Sequence, residues 1–332
     1  MLPGPHRKLI KGVSKAAKKT IVPLGNGAVV TTGEWDENAD AILELWLGEQ
    51  AGGAAAADLL FGDAESSGRL AESMPVSLTD LPAQLNFPGE EGVVRCGEGP
   101  FVGYRALDET SAPVCYPFGH GLSYTDFEFR DLDVRVKEIE EDTALDDVVV
   151  TVCAMVTNVG NRAGRAVPQL YLGRPESNLI RPPRELRDYA AIDLAPGESA
   201  RVTFEVSKRW VSSWDEKNQR WWVEMGPLVV EVGASSRDLP LVAETDLSGW
   251  QPTRALTDDS TIREWVENPE AQREVLEALG EFGVDFAPDT YDPKIAELFG
   301  SIPLRNVPVM GMSKTMTLDD LDRLVAKYGT ES

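Results

Sequence analysis

Val148-Val149-Val150-Thr151-Val152-Cys153-Ala154-Met155-Val156-Thr157 is the stretch from which the fold can be read. Val148, Val150, Val152, Ala154 and Val156 occupy one side of a two-residue repeat, and Val149, Thr151, Cys153, Met155 and Thr157 the other. Successive side chains of a strand point to opposite faces, so this repeat predicts a long, half-buried strand. Downstream, Asn158-Val159-Gly160-Asn161 signals a turn and Val167–Leu172 a second strand. Ala195-Pro196-Gly197-Glu198 is a turn ahead of Val202, Phe204 and Val206, and Trp221-Trp222-Val223 and Leu228–Val232 complete the set. Short strands separated by turn signals over about 100 residues predict an immunoglobulin-like β-sandwich.

Upstream the pattern is different. Residues 8–19 read as a basic amphipathic helix with Leu9, Ile10, Val13, Ala16 and Ala17 on one face. Ile21-Val22-Pro23-Leu24 reads as a buried strand ending in the turn Gly25-Asn26-Gly27, and Ala41–Trp46 as a second strand. The alanine run Ala54–Ala57 and Asp58-Leu59-Leu60-Phe61 predict a helix closed by Gly62. Two strands and two helices suggest the end of an α/β domain, since they cannot close a doubly covered sheet. Residues 63–125 are rich in Gly, Pro and Ser, a loop of a length that is usually functional or packed on something else.

Downstream of the sandwich the character becomes helical and acidic. Thr261-x-x-Glu264 and Thr317-x-x-Asp320 are capping boxes, and Asp292-Pro293 places an N-cap before a proline at the first helical position. Leu318, Leu321, Leu324, Val325 and Tyr328 fall on one helix face. The plain expectation is a helical appendage packed on the sandwich, the sharper one a dimerisation or partner surface.

The 332 residues carry 32 Lys+Arg against 55 Asp+Glu, a net charge of −23. Such a surface repels phosphate backbones and anionic lipid, which argues against nucleic acid or membrane as partner. No apolar run approaches the roughly 20 residues of a membrane span, and the basic N-terminal segment lacks the apolar core of a secretory signal. Cys96, Cys115 and Cys153, odd in number and far apart, offer neither a disulfide framework nor a metal pattern, and a reduced cytoplasmic setting fits them. With only His6 and His120, a histidine-rich metal site is excluded. Gly25-Asn26-Gly27 lacks the third glycine and helix of a dinucleotide site, so no cofactor is expected.

Carboxylate pairs come first among the candidates for chemistry. Glu34, Asp36 and Glu37 cluster in one loop, Glu90 and Glu91 in a Gly-flanked loop, and Glu98 between two glycines. Glycoside hydrolysis needs two carboxyls about 5–5.5 Å apart for retention or about 6.5–9.5 Å for inversion. Adjacency in sequence does not supply that, and solvated loops are the expectation for all six. His120 is expected as a buried imidazole bonded to backbone, with Asp126 too near in sequence to orient it as a base. Ser123 lacks the elbow of a hydrolase nucleophile. Arg181-Pro182-Pro183-Arg184 reads as a rigid, solvated loop with basic ends that could also meet an acidic or sugar surface. Trp210, Trp214, Trp221 and Trp222 could form a sugar platform, but core packing is expected, with Trp221 and Trp222 on opposite faces.

Several motifs together carry a resemblance. Trp46-Leu47-Gly48-Glu49-Gln50-Ala51-Gly52-Gly53, Leu60-Phe61-Gly62-Asp63 and Ser67-Gly68-Arg69-Leu70 resemble the W-Y-P-G-Q-E-G-G…L-F-G-D…P-S-G-R-L-P stretch of glycoside hydrolase family 3. Glu98-Gly99-x-Phe101-Val102-Gly103-Tyr104-Arg105 and Pro117-Phe118-Gly119-His120-Gly121-Leu122-Ser123-Tyr124-Thr125 are similar to that family's E-G-x-F-V-G-Y-R and P-F-G-H-G-L-S-Y-T. Residues 126–245 resemble the fibronectin type III-like domain of its β-glucosidases through Arg181-Pro182-Pro183-Arg184-Glu185-Leu186, Pro196-Gly197-Glu198 and Val232–Asp238. The resemblance covers about three quarters of the chain, and the helical tail resembles extensions of some bacterial members.

The resemblance implies an α+β multidomain chain: a partial α/β sandwich over 1–125, a fibronectin type III-like β-sandwich over 126–250 and a helical extension over 251–332. It implies a retaining parent enzyme whose aspartate nucleophile lies on an N-terminal barrel and whose acid/base glutamate lies on a loop ahead of an L-P-x-x-Q-x-x-L-I segment, here Leu2-Pro3-x-x-His6-x-x-Leu9-Ile10. Neither carboxylate carries over to a residue of this chain, so no catalytic residue is expected on it. A truncated gene product or one chain of a split enzyme would both fit, with a separately encoded barrel, or self-association through 1–125, covering the open sheet. The alternative is a non-catalytic carbohydrate- or protein-binding module. Gly48 and Glu49 stand where the family has proline and glycine, Ser66 and Ala71 replace prolines, and Cys96 stands where tyrosine is common.

Overall fold

Pro3 and Pro5 set the start of the first helix in the computed structural model, which describes residues 1–177, 179–216, 219–248, 256–280 and 299–329. Proline's fixed φ and missing N–H suit a first turn, so α1 spans Gly4–Ala16, earlier than the predicted 8–19. Of its expected apolar face only Ile10 is buried, while Leu9 is 64% and Val13 43% exposed. Ile10 packs with Val22, Leu24 and Trp35 in a small core. Strands β1 (Ile21–Leu24) and β2 (Ala41–Glu44) pair in parallel, and among the described residues no third strand joins them. Helix α2 (Gly52–Phe61) ends as predicted at Gly62, whose φ of 77° places it in the left-handed region that lacks a penalty only for glycine.

The segment 63–125 is less irregular than its composition suggests. A bridge between β3 (Met74–Pro75) and β4 (Val114–Tyr116) ties its ends together, and α3 (Tyr104–Glu109) lies between them. These elements were hidden because two- and three-residue strands carry no periodicity.

The sandwich is built from β5 (Phe127–Val136), β6 (Val148–Asn158), β7 (Gly164–Ala166), β8 (Gln169–Gly173), β9 (Glu185–Tyr189), β10 (Ile192–Leu194) and β11 (Ser199–Ser207). After the short helix α4 (Lys208–Val211) come β12 (Ser212–Asp215), β13 (Arg220–Val223), β14 (Gly226–Gly233) and β15 (Leu241–Leu247). One sheet runs β11-β6-β5 and the other β15-β14-β8-β9, all neighbours antiparallel. Val150, Val152, Ala154 and Val156 of β6 are fully buried, as the period-2 reading requires. They share one core with Leu170, Leu172, Val202, Phe204, Val230 and Val232. Residues 185–189 and 241–247 form strands that the sequence reading did not identify.

The chain divides into two compact units, the first ending at Gln251 and the second beginning at Pro252. The second holds α5 (Ile262–Glu267), α6 (Gln272–Leu279), α7 (Asn306–Val309) and α8 (Leu318–Tyr328) around its own core of Ile262, Trp265, Val275, Leu304 and Leu321. Both predicted capping boxes form at Thr261 and Thr317; the predicted Asp292-Pro293 start lies outside the described residues. Among the described residues no helix is long and apolar enough to cross a membrane.

Candidate functional site

A buried polar network forms where the segment 117–125 meets the start of β8 and the residues that follow β14. The fixing point is Gln169, a polar residue at the start of the otherwise apolar β8, 3% exposed. Its Nε2 donates to the Gly119 carbonyl (3.0 Å) and to that of Ala234 (2.7 Å), while its Oε1 accepts from Tyr171 Oη (2.6 Å). Phe118 donates its N–H to Ser73 Oγ (2.8 Å), and its carbonyl accepts from Ser236 N–H (2.9 Å). The Phe118 ring stacks on Tyr104, centroids 4.5 Å apart, and Tyr104 Oη accepts from the N–H of Leu186 (2.8 Å).

Beside this stack lies an ion network. Asp108 is 4% exposed at its side chain and pairs with Arg237 (2.8 Å) and Arg184 (3.7 Å); Arg184 also reaches Glu231 (2.7 Å). Burial pushes the Asp108 carboxyl above the usual carboxylate range, against the opposing pull of Arg237 and Arg184. Arg181 and Arg184 therefore do not cap a solvated loop as expected. Both guanidiniums turn inward, with side chains 14% and 27% exposed, because buried carboxylates on β14 and its approach meet them.

His120 is half-buried and its ring stacks on Tyr116, centroids 5.5 Å apart. The expected buried, backbone-bonded imidazole is corrected here: hydrogen bonds run through the His120 backbone, to Leu70 and Pro117. Burial, then the charge of Arg69, holds the imidazole below its ordinary pKa, and Asp238 pulls weakly the other way. The neutral ring is thus favoured in the fold, so its contribution to stability is complete above the unfolded value of about 6.5 and is lost as pH falls through the folded value. His120→Gln should flatten the acid side of the melting-temperature profile between pH 7.5 and 5.5; identical wild-type and variant slopes would refute this.

Ser123 donates to Glu65, whose same oxygen accepts the Tyr124 N–H at 2.8 Å. A hydroxyl bonded to a carboxylate, with no imidazole as base, is a fastening and not a nucleophile. Glu65 also lines a groove of about 550 Å³ with Ser67, Arg165, Asp193 and Glu198. Its carboxylates are engaged: Asp193 takes both ends of Arg165 at 2.8 Å, and Glu198 accepts the Ala195 N–H at 2.8 Å.

The sequence-derived acids lie on separate loops, and two of the six are held by a partner. Glu34 pairs with Arg7, and Asp36 accepts the Glu37 N–H at 2.8 Å. Glu37, Glu90 and Glu91 are exposed and Glu98 is half-buried. Among the described residues no group of His, Cys, Asp and Glu could hold a metal ion, and all three cysteines are free. The tryptophan expectation is half right. Trp222 is buried and Trp221 faces out, but Trp210 and Trp214 are 51% and 44% exposed. Trp214 lies directly across from Trp221 in the β12–β13 hairpin, so both share its outer face.

Sequence reasoning passed over Glu65, Asp108, Gln169 and Glu231, and met Arg69 and Arg237 only inside the family motifs. A usable signal exists for two of them. Gln169 and Glu231 interrupt apolar strand runs, and a polar residue inside such a run must find a buried partner.

Two stretches within the first unit match known families. Residues 1–124 match the glycosyl hydrolase family 3 C-terminal domain and residues 166–236 the fibronectin type III-like domain. An exo-alpha-(1->6)-L-arabinopyranosidase of Bifidobacterium breve is 38% identical over 312 residues, 93% of this chain and 40% of that protein. Thermostable beta-glucosidase B of Acetivibrio thermocellus is 40% identical over 72% of this chain and 31% of its own length. The crystal structure of a Bifidobacterium adolescentis GH3 beta-glucosidase superposes with a TM-score of 0.74 at 40% identity, over 82% of this chain and 39% of that one. The chain thus spans 40% or less of these proteins.

Proposed function

We propose, for a chain that belongs to glycoside hydrolase family 3 through its C-terminal and fibronectin type III-like domains, that it is the scaffold portion of a β-glucosidase-type enzyme whose catalytic carboxylates both lie on other residues. On this reading residues 1–125 dock on a barrel, whether separate or joined, and residues 126–250 brace them through the Gln169 and Asp108 contacts. Hydrolysis of a β-glycoside, by double displacement through an aspartate and a glutamate, belongs to the assembled enzyme. A cytoplasmic location goes with this reading, supported by three free thiols.

The observation that carries the proposal is the parallel pair β1–β2, which no third strand joins among the described residues. Parallel strands are normally covered on both faces and flanked by further strands. Here Ile21 is 48% exposed, and Leu9, Leu47, Phe61, Leu85 and Phe87 each leave more than half of their surface bare. Apolar area and unpaired edges of this kind drive association.

In sedimentation, the full chain should bind a separately expressed family 3 barrel or, without it, self-associate; deleting residues 1–62 should raise the monomer fraction. A full-length protein that stays monomeric at high concentration and binds no barrel would overturn the proposal. The second reading, a sugar-binding module, draws on the exposed Trp214 and Trp221. Their rings meet edge to face at 65° and do not form a flat strip, which favours the scaffold.

A further inference from the structure

Three arginines of the sandwich line one pocket with too few carboxylates to balance them. Arg174, Arg181 and Arg187 line it together with Glu185, Trp210 and Leu228. Arg174 donates from Nε to the Pro227 carbonyl (3.0 Å) and from Nη2 to the Glu224 carbonyl (2.5 Å), so neither bond supplies a negative charge. Arg181 donates to Ser177 Oγ (3.1 Å) and Ser213 Oγ (2.6 Å), with the Glu224 carboxylate at 3.8 Å. Arg187 pairs with Glu185 at 2.5 Å, but Arg105 claims the same carboxylate at 3.2 Å.

Two donors remain over. Arg174 Nη1 and Arg187 Nε are buried and have no acceptor among the described residues. A buried N–H without a partner costs free energy, and more so when it belongs to a charged group. Burial works against the charge of both arginines, and Arg181 beside each of them adds to this. The cavity is about 10 Å³ in volume, room for about one water-sized particle. Leu172, Val211 and Leu228 supply the apolar part of its lining, and the Trp210 ring centroid lies 5.7 Å from the Arg187 guanidinium.

We propose that this pocket is a binding site for a single small monovalent anion, which in solution is chloride. One negative charge there offsets the third guanidinium and accepts from both leftover donors. The site lies apart from the docking surface, so its fate is independent of the scaffold reading. Its consequence is a fold whose Arg181–Arg187 segment is secured by salt identity and not merely by ionic strength.

The test uses the full chain at fixed ionic strength, with sodium chloride exchanged stepwise for sodium gluconate. Chloride should raise the melting temperature by about 2–4 °C once it reaches about ten times its Kd, and the rise should follow a binding curve. The chlorine-35 resonance should broaden in the presence of the wild-type protein, and bromide should reverse that broadening. Arg187→Gln should remove the excess broadening; Arg187→Lys, which keeps the charge but loses Nε, should weaken it. Equal melting temperatures in chloride and gluconate, with wild-type broadening no greater than that of Arg187→Gln, would overturn the proposal. The wild-type comparison decides the matter even where a variant fails to fold.

Discussion

Rigorously purified, the chain alone will release no aglycone from an aryl β-glucoside above the buffer rate, and addition of a family 3 segment that carries both the barrel and the acid/base loop will restore turnover. Enzymes of ordinary efficiency exceed the uncatalysed reaction by about 10⁶-fold or more, so the expected difference between the two samples is at least of that order. The argument is one of geometry and occupancy. Retaining hydrolysis requires a nucleophilic carboxylate and an acid/base carboxyl about 5–5.5 Å apart, both free to face the sugar. In this chain Glu34 is held by Arg7, Asp36 by the Glu37 amide, Asp193 by Arg165 and Asp108 by two arginines. Glu65 accepts from Ser123 and Tyr124 through one of its oxygens, and Glu198 from the backbone of its own turn. Turnover by the isolated chain that vanished on Glu98→Gln or Asp36→Asn would place a catalytic carboxylate here and refute the scaffold reading. Activity that survives both substitutions and falls on further purification would be a contaminant and would leave the prediction standing.

What could be read from the sequence followed from how long each pattern persists. Strand β6 repeats its period over 11 residues, so chance cannot imitate it. Strand β5 is nearly as long, yet its register shifts between Arg130 and Asp133, where Asp131 adopts φ 56°. The bulge moves Leu132, Val134 and Val136 out of phase with Phe127 and Phe129, and an unbroken period-2 template misses it. Strand β9, Glu-Leu-Arg-Asp-Tyr, is polar because its arginine and glutamate belong to the anion pocket and not to a solvated edge. The site was legible as a motif and not as a mechanism. Phe118-Gly119-His120-Gly121 stood out, but its partners Ser73, Gln169 and Ser236 lie about 45–118 residues away, beyond any local pattern.

Gly119→Ala should destabilise the first unit by about 3 kcal/mol or more. Two costs combine. Gly119 has φ 80°, where an L side chain pays about 1–2 kcal/mol. A Cβ there would also lie 2.1 Å from Gln169 Oε1. Gln169 cannot step aside cheaply, because moving it breaks two bonds to carbonyls and strands the buried Tyr171 hydroxyl. Gly12→Ala is the internal control: it sits within α1, nothing lies within 4 Å of its added Cβ, and alanine in a helix gains roughly 0.5–1 kcal/mol over glycine. Denaturant midpoints should therefore move in opposite directions for two chemically identical changes. Combining Gly119→Ala with Gln169→Ala separates the two costs. The double variant removes the clash but keeps the backbone penalty, so its loss should fall short of the sum of the single losses by about 1–3 kcal/mol. Strict additivity would mean that Gln169 does not hold the segment in place. A Gly119→Ala midpoint equal to that of wild type would mean that this family motif is not the fastening between the N-terminal segment and the sandwich.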